Sequence, residues 1–77
     1  MEKLLKLIVE SIVLNPKSVK ISLEEKENFV NLRLEVDPED LKFVIGKKGR
    51  TIRAIRNLLR LRAANEKKRV NLELVEA

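Results

Sequence analysis

The only two glycines of the 77-residue chain stand three positions apart, at Gly46 and Gly49. They enclose Lys47 and Lys48, and residues with helical hydrophobic spacing precede and follow them. Because glycine commonly ends a helix and has no side chain to block a close approach, this segment predicts a sharp turn between two helices. The two lysines indicate that the group approaching the turn is anionic, and a nucleic-acid backbone is the expected partner.

Hydrophobic periodicity divides the chain into three helices and three strands. Apolar side chains recur at helical spacing in residues 2–14, 38–45 and 51–65. Apolar and polar side chains alternate, as in half-buried strands, in residues 18–24, 29–36 and 69–75. The predicted order is α-β-β-α-α-β, an α+β fold of two layers in which a three-stranded mixed sheet packs against three helices. The first two strands form an antiparallel hairpin, and a right-handed crossover places the second and third side by side in parallel.

Charge is distributed unevenly along the sequence. The net charge is +5, but the segment between Leu41 and Asn65 contains eight basic residues and no acid. The rest of the chain carries −3, from nine basic and twelve acidic residues. A local basic patch is typical of a nucleic-acid-binding surface. The alternative, a solubilising surface rich in lysine and glutamate, mixes the two signs of charge.

Composition also excludes several classes of function. Without cysteine or histidine, the chain lacks thiolate ligands and the commonest general base, and it has no nucleophile–base pair and no acidic cluster placed for metal binding. We therefore expect no enzyme, no metal, no cofactor and no small-molecule substrate. The glycine spacing does not match a nucleotide-binding P-loop, and two phenylalanines are too few for the stacking platform of an RRM or OB-fold. The sequence has no signal peptide or membrane span, so we expect one soluble cytoplasmic domain over residues 1–77 and no membrane partner.

The segment Ile45-Gly46-Lys47-Lys48-Gly49, followed by isoleucines at 52 and 55, resembles the Ile-Gly-x-x-Gly signature of the KH RNA-binding domain. The element order is similar to the type II, or prokaryotic, KH arrangement. A chain consisting of one such domain resembles the small stand-alone bacterial KH proteins of the KhpA family. The resemblance implies non-catalytic binding of single-stranded RNA in a groove beside the loop, in bacterial RNA regulation. It also implies a homodimer or a complex with a larger KH-domain protein.

The candidate RNA-binding residues lie in and around the glycine loop. Backbone N–H groups at the loop and at the start of the next helix suit phosphate, as do the lysine ammonium groups. Aliphatic side chains on both sides of the loop are expected to line a groove for base faces. The predicted set is Val44, Ile45, Gly46, Lys47, Lys48, Gly49, Arg50, Ile52 and Arg53, and Ile55 is expected in the groove or in the core. Whether the stripe of Arg53, Arg56 and Arg60 assists binding or is a solvated face stays open.

A second apolar stripe on the long helix consists of Ala54, Leu58 and Leu61. A helix with two apolar faces buries more than one side, so this stripe predicts a dimer interface, unless the helices pack on each other within the domain.

Two other functions stay open. The chain is either a protein-interaction module with a KH-like fold and no significant nucleic-acid binding, or a helix-turn-helix DNA reader. The second is disfavoured because its first helix would be barely two turns long.

Overall fold

The computed structural model describes residues 1–76 and confirms the predicted order of elements. The helices and strands follow the chain as α1 (Glu2–Glu10), β1 (Lys20–Lys26), β2 (Phe29–Val36), α2 (Leu41–Ile45), α3 (Arg50–Asn65) and β3 (Arg69–Glu76). Single 3₁₀ turns occupy Pro16–Ser18, Pro38–Asp40 and Lys47–Gly49. The prediction merged the second of these turns with α2. Asp37 caps this second turn, since its carboxylate accepts the backbone N–H of Glu39 at 2.9 Å.

The sheet has the predicted mixed topology, with the order β1-β2-β3. β1 pairs antiparallel with β2, and β2 pairs parallel with β3. Leu32 of β2 lies opposite Leu23 of β1 and Leu72 of β3, so the alternating apolar residues of the three strands share one face. β3 is therefore an edge strand, and its outer backbone groups have no partner strand among residues 1–76.

The hydrophobic core lies between that sheet face and the helices. The buried side chains of β2 are Val30, Leu32, Leu34 and Val36, and the helices contribute Leu5, Val9, Val44, Ile52, Ile55, Leu59 and Ala63. The expected alternation holds fully in the central strand and only weakly in β1, where Leu23 is 46% exposed. An edge strand has a neighbour on one side only, which explains the difference.

Two predicted boundaries are wrong, and a buried carboxylate explains one of them. α1 ends at Glu10 and not at residue 14, because the backbone N–H groups of Leu14 and Asn15 donate to the Asp40 carboxylate at 2.9 and 3.0 Å. β1 spans Lys20–Lys26 and not residues 18–24, because a 3₁₀ turn takes up Ser18. The turn between β1 and β2 is thereby shortened to two residues.

Asp40 is the one buried charged residue among residues 1–76. Burial raises the pKa of its carboxyl. The backbone N–H donors of Leu14 and Asn15 and the side-chain amide of Asn15 together lower the pKa by more than burial raises it, so the pKa lies below its ordinary value. Asp40 directly precedes α2. Its hydrogen bonds therefore tie the connection after α1 to the start of the helix that leads into the glycine loop.

Candidate nucleic-acid interface

The glycine loop begins where α2 ends. The N–H of Gly46 donates to the carbonyl of Lys42 at 2.9 Å, and Gly46 adopts φ +76° and ψ 174°. This region of backbone conformation is essentially restricted to glycine. A Cβ atom at this position would lie 2.2 Å from Thr51 Oγ1 and 2.9 Å from the Thr51 backbone nitrogen. Gly46 thus lets the end of α2 contact the first turn of α3 directly.

The rest of the loop is a single tight turn that presents its lysines to solvent. The N–H of Gly49 donates to the carbonyl of Gly46 at 3.1 Å and closes the turn. Lys48 and Gly49 are both left-handed, with φ of +55° and +73°. A Cβ atom on Gly49 would meet nothing within 4 Å, so this glycine faces open space. Lys47 and Lys48 are exposed.

Arg53 contacts the loop itself. Its Nη2 donates to the carbonyl of Lys48 at 2.7 Å, and its Nε lies 3.4 Å from the carbonyl of Gly49. The sequence predicted Arg53 as an RNA-binding residue, whereas the structure places its guanidinium on two loop carbonyls. These bonds hold the left-handed residues in place and keep their carbonyl oxygens occupied.

The helix after the loop begins without a side-chain cap. Arg50 is its first residue and is exposed, while Thr51 is half-buried against Gly46. The N–H groups of Gly49 and Arg50 donate to the carbonyls of Gly46 and Lys47, so α3 contributes the positive end of its dipole here. Together with the two loop lysines and Arg50, it forms a strongly positive end of the molecule.

Most of the residues predicted to line an aliphatic groove lie in the core. Val44 and Ile55 are buried in the core, and Ile52 is almost as inaccessible, so these three side chains support the loop from below. Ile45 alone of the predicted groove residues is exposed, at 40%. The spacing that suggested a groove is the core spacing of two short helical segments on one sheet.

A different groove runs between α3 and the free edge of β3. Arg56 and Arg60 line its helix side, and its floor and opposite wall are formed by Leu59, Val70, Asn71 and Leu72. The Arg56 Nη2 atom donates to the carbonyl of Leu72 at 3.4 Å. Sequence reasoning left these two arginines undecided. The signal that would have found the groove is the parallel pairing of β3, which makes it the edge strand beside α3.

No carboxylate neutralises this surface. Within residues 1–76 the ion pairs are Arg62 with Glu66 and Lys68 with Glu25, both away from the glycine loop. The pair with Glu25 raises the pKa of Lys68, because the carboxylate accepts a hydrogen bond from the ammonium group. Lys42 lies 5.2 Å from the centre of the Phe43 ring, a cation–π distance. Among the described residues, the loop lysines and the α3 arginines from Arg50 to Arg60 form no ion pair.

The second apolar stripe of α3 has no partner within the described part of the chain. Ala54 is exposed, and Leu58 and Leu61 are 48% and 66% exposed. Packing of the helices on each other therefore does not cover these side chains.

Across residues 1–76 no three potential ligands cluster for a metal ion. The described helices are also too short or too polar to cross a membrane.

Comparisons with known proteins match the chain over nearly its whole length. The model of the family described as "KhpA/KhpB, KH domain" matches residues 2–74. The chain is 40% identical over 75 residues to the RNA-binding protein KhpA of Caldanaerobacter subterraneus subsp. tengcongensis, covering 97% of this chain and 100% of that protein. It is 41% identical over 75 residues to the RNA-binding protein KhpA of Clostridium acetobutylicum, again covering 97% and 100%. The RNA-binding protein KhpA of Listeria monocytogenes serovar 1/2a is 38% identical over 76 residues, covering 99% and 100%.

Proposed function

The chain belongs to the KhpA/KhpB KH-domain family, a non-enzymatic family, and from that membership we propose that it binds single-stranded RNA through its glycine loop. Its relatives are named RNA-binding proteins. The proposal places the protein in bacterial RNA regulation in the cytoplasm.

One observation carries the proposal, namely the geometry of the loop from Gly46 to Gly49. Two exposed lysines project from a turn that hydrogen bonds hold closed, and the turn lies directly at an uncapped helix N-terminus. A phosphate at this point meets the lysine ammonium groups together with the positive end of the α3 dipole. The open space at Gly49 lets an RNA backbone come close. A KH-type loop clamps about four nucleotides of backbone in this way.

The groove beside α3 supports a path for the strand beyond the loop. The guanidinium groups of Arg56 and Arg60 lie along it and attract phosphates. The free edge of β3 offers backbone N–H and C=O groups, which recognise base edges by hydrogen bonds. The expected affinity of one domain is modest, because few contacts read the bases and the rest are electrostatic.

The test is a titration of fluorescent single-stranded RNA with the wild type and the Lys47→Asp/Lys48→Asp variant. We expect the variant to bind at least about tenfold more weakly, because two charged contacts are lost and two repulsions are created. The matched control is Lys3→Asp/Lys6→Asp, which changes the charge equally on the exposed side of α1. If both variants lose affinity equally, only net charge matters and the loop proposal fails.

Two further arms separate the alternative functions. Duplex DNA in the same titration tests the helix-turn-helix reading, which requires duplex to bind more tightly than single strands. Analytical ultracentrifugation tests the protein-interaction reading. A wild type that binds no nucleic acid but sediments as a dimer would replace RNA binding with that reading.

We also infer that the protein forms a homodimer through Ala54, Leu58 and Leu61. Full burial of an exposed leucine side chain contributes about 1.5–3 kcal/mol, and covering the partly exposed leucines of two α3 helices in a symmetric contact would offset part of the cost of association. Two domains on one RNA would raise the apparent affinity by effective concentration. A larger KH-domain protein that covers the same stripe is the alternative partner. Leu58→Asp should sediment as a folded monomer, and an unchanged dimer would remove this stripe from the interface.

A further inference from the structure

A second surface of basic and aromatic residues lies at the other end of α3 from the glycine loop. α3 contains 16 residues, so its two ends are about 24 Å apart. At its far end the chain turns into β3, beside the turn between β1 and β2. We call this the distal surface; its members are Lys26, Phe29, Lys67 and Arg69.

Strand register brings these residues together. Phe29 is the first residue of β2, and it is paired with Lys26 of β1 and with Arg69 of β3. The Arg69 N–H also donates to the carbonyl of Asn28 at 2.8 Å, which joins the two turns. Lys67 lies at the tip of the α3–β3 turn. Two segments distant in sequence, one with Lys26 and Phe29 and the other with Lys67 and Arg69, thus form one surface on a hydrogen-bonded frame.

The fold does not require these side chain types. Phe29 is 46% exposed and lies outside the hydrophobic core, unlike its neighbour Val30. The three basic residues of the distal surface are exposed and form no ion pair within residues 1–76. The nearby acid Glu25 is already paired with Lys68, which leaves Glu27 as the single acid lining the depression. An exposed aromatic ring among cations matches the composition of a site for single-stranded nucleic acid.

The distal surface is continuous with the groove between α3 and β3. A shallow depression connects them, and it shares Arg60, Val70 and Asn71 with the groove. The same depression shares Phe29 and Arg69 with the distal surface. A strand lying in the groove beside Arg56 and Arg60 therefore reaches Phe29 along a continuous depression that passes round the edge of β3, because Phe29 and Arg69 alternate with the core-facing Val30 and Val70.

We propose that the distal surface is a second RNA subsite, in which a base stacks on the Phe29 ring while phosphates contact Arg69 and Lys67. The inference rests on the proposed function of the glycine loop. Stacking on an aromatic ring tolerates any base, because every base has a π-face. The subsite would therefore lengthen the bound segment of RNA without adding sequence preference.

The experiment compares two lengths of single-stranded RNA. An oligonucleotide of about four nucleotides fills the KH-type clamp. One of about ten nucleotides exceeds the ~24 Å length of α3 even at the ~3.4 Å spacing of a stacked strand. The variants are Phe29→Ala and Phe29→Leu, and the second keeps an apolar side chain in the strand. The matched control is Leu23→Ala. Leu23 is an apolar residue as exposed as Phe29, at 46%, and it lies in β1, the edge strand farthest from β3 and the groove.

We expect both Phe29 variants to bind the short RNA as the wild type does and the long RNA at least about fivefold more weakly. Leu23→Ala should match the wild type at both lengths. Arg69→Gln should lower the salt dependence of binding only for the long RNA, by about 0.7 in the log–log slope. Wild-type affinity of Phe29→Leu for the long RNA would overturn the inference while leaving the loop proposal intact. A wild type that binds neither length would overturn the proposed function and this inference with it.

Discussion

The two glycines of the loop should differ in what they tolerate, although the sequence presents them as a matched pair. In Gly46→Ala the new methyl would lie 2.2 Å from Thr51 Oγ1, 2.7 Å from Thr51 Cβ and 2.9 Å from the Thr51 backbone nitrogen. A side chain rotation can move the first of these atoms, but not the other two. The backbone conformation of Gly46 adds strain of about 1–3 kcal/mol for any other residue. Overpacking of this kind costs about 1–3 kcal/mol more.

The sum for Gly46→Ala is therefore about 2–6 kcal/mol. A single core of this size rarely supplies more than about 3–5 kcal/mol of stability, so we expect this variant to be largely unfolded or to rearrange between α2 and α3. Gly49→Ala has only the left-handed conformation to accommodate, because nothing lies within 4 Å of the added methyl. We expect a loss of about 1 kcal/mol, and less for Gly49→Asn, since asparagine tolerates this conformation better.

Urea denaturation followed by circular dichroism measures both free energies of unfolding. The double variant Gly46→Ala/Thr51→Ala provides an internal check. Thr51→Ala removes the closest atom of the clash, so the double variant should recover part, but not all, of the stability lost in Gly46→Ala. The reasoning would be refuted by equal destabilisation at the two glycines, or by a larger loss at Gly49. The RNA affinity of the folded Gly49→Ala variant, compared with that of the wild type, then reports separately on how closely the RNA backbone approaches Gly49.

Arg53 and Asp40 give the remaining predictions. Arg53→Ala should weaken RNA binding several-fold with an unchanged slope of log K against log salt, whereas Lys47→Ala should reduce that slope by about 0.7, as expected for one lost phosphate contact. A reduced slope for Arg53→Ala would instead make it a phosphate ligand. The lowered pKa of Asp40 means that its carboxylate stabilises the fold above the ordinary value of 3.8 and that this contribution is lost as the pH falls through the lowered pKa. Asp40→Asn should therefore melt at a lower temperature than the wild type at neutral pH, and the two melting temperatures should converge in acid; a gap independent of pH would contradict this.

The sequence was sufficient for the fold because its local signals agree. Alternation around Leu32 predicts the central strand, the two-helix crossover predicts parallel pairing, and the structure confirms both. The end of α1 was not predictable, since it depends on Asp40, which is 25 residues away from Asn15 in sequence. Local periodicity favours continuing the helix, and a tertiary hydrogen bond overrides it.

The candidate site was predictable in its backbone and less so in its side chains. Periodicity cannot distinguish an aliphatic residue that lines a groove from one that faces the core, and Val44, which was predicted for the groove, is buried in the structure. The basic neighbours of Phe29 could not be predicted from composition either, because they are brought beside it by pairing with two other strands. The part played by each loop residue in RNA binding stays a prediction.

The structure also suggests why so small a site would suffice for the proposed binding of a flexible strand. Immobilising side chains and loops on binding costs about 0.5–1.5 kcal/mol for each ordered group. Here the turn from Gly46 to Gly49 is already closed by its own hydrogen bond and by Arg53. In the proposed complex the side chains of Lys47, Lys48 and Arg50 would then have to be ordered, but the loop backbone would not. A loop with this order before binding keeps more of its electrostatic free energy as affinity, which is why we expect the loss of Arg53 to weaken binding without any change in the number of phosphates contacted.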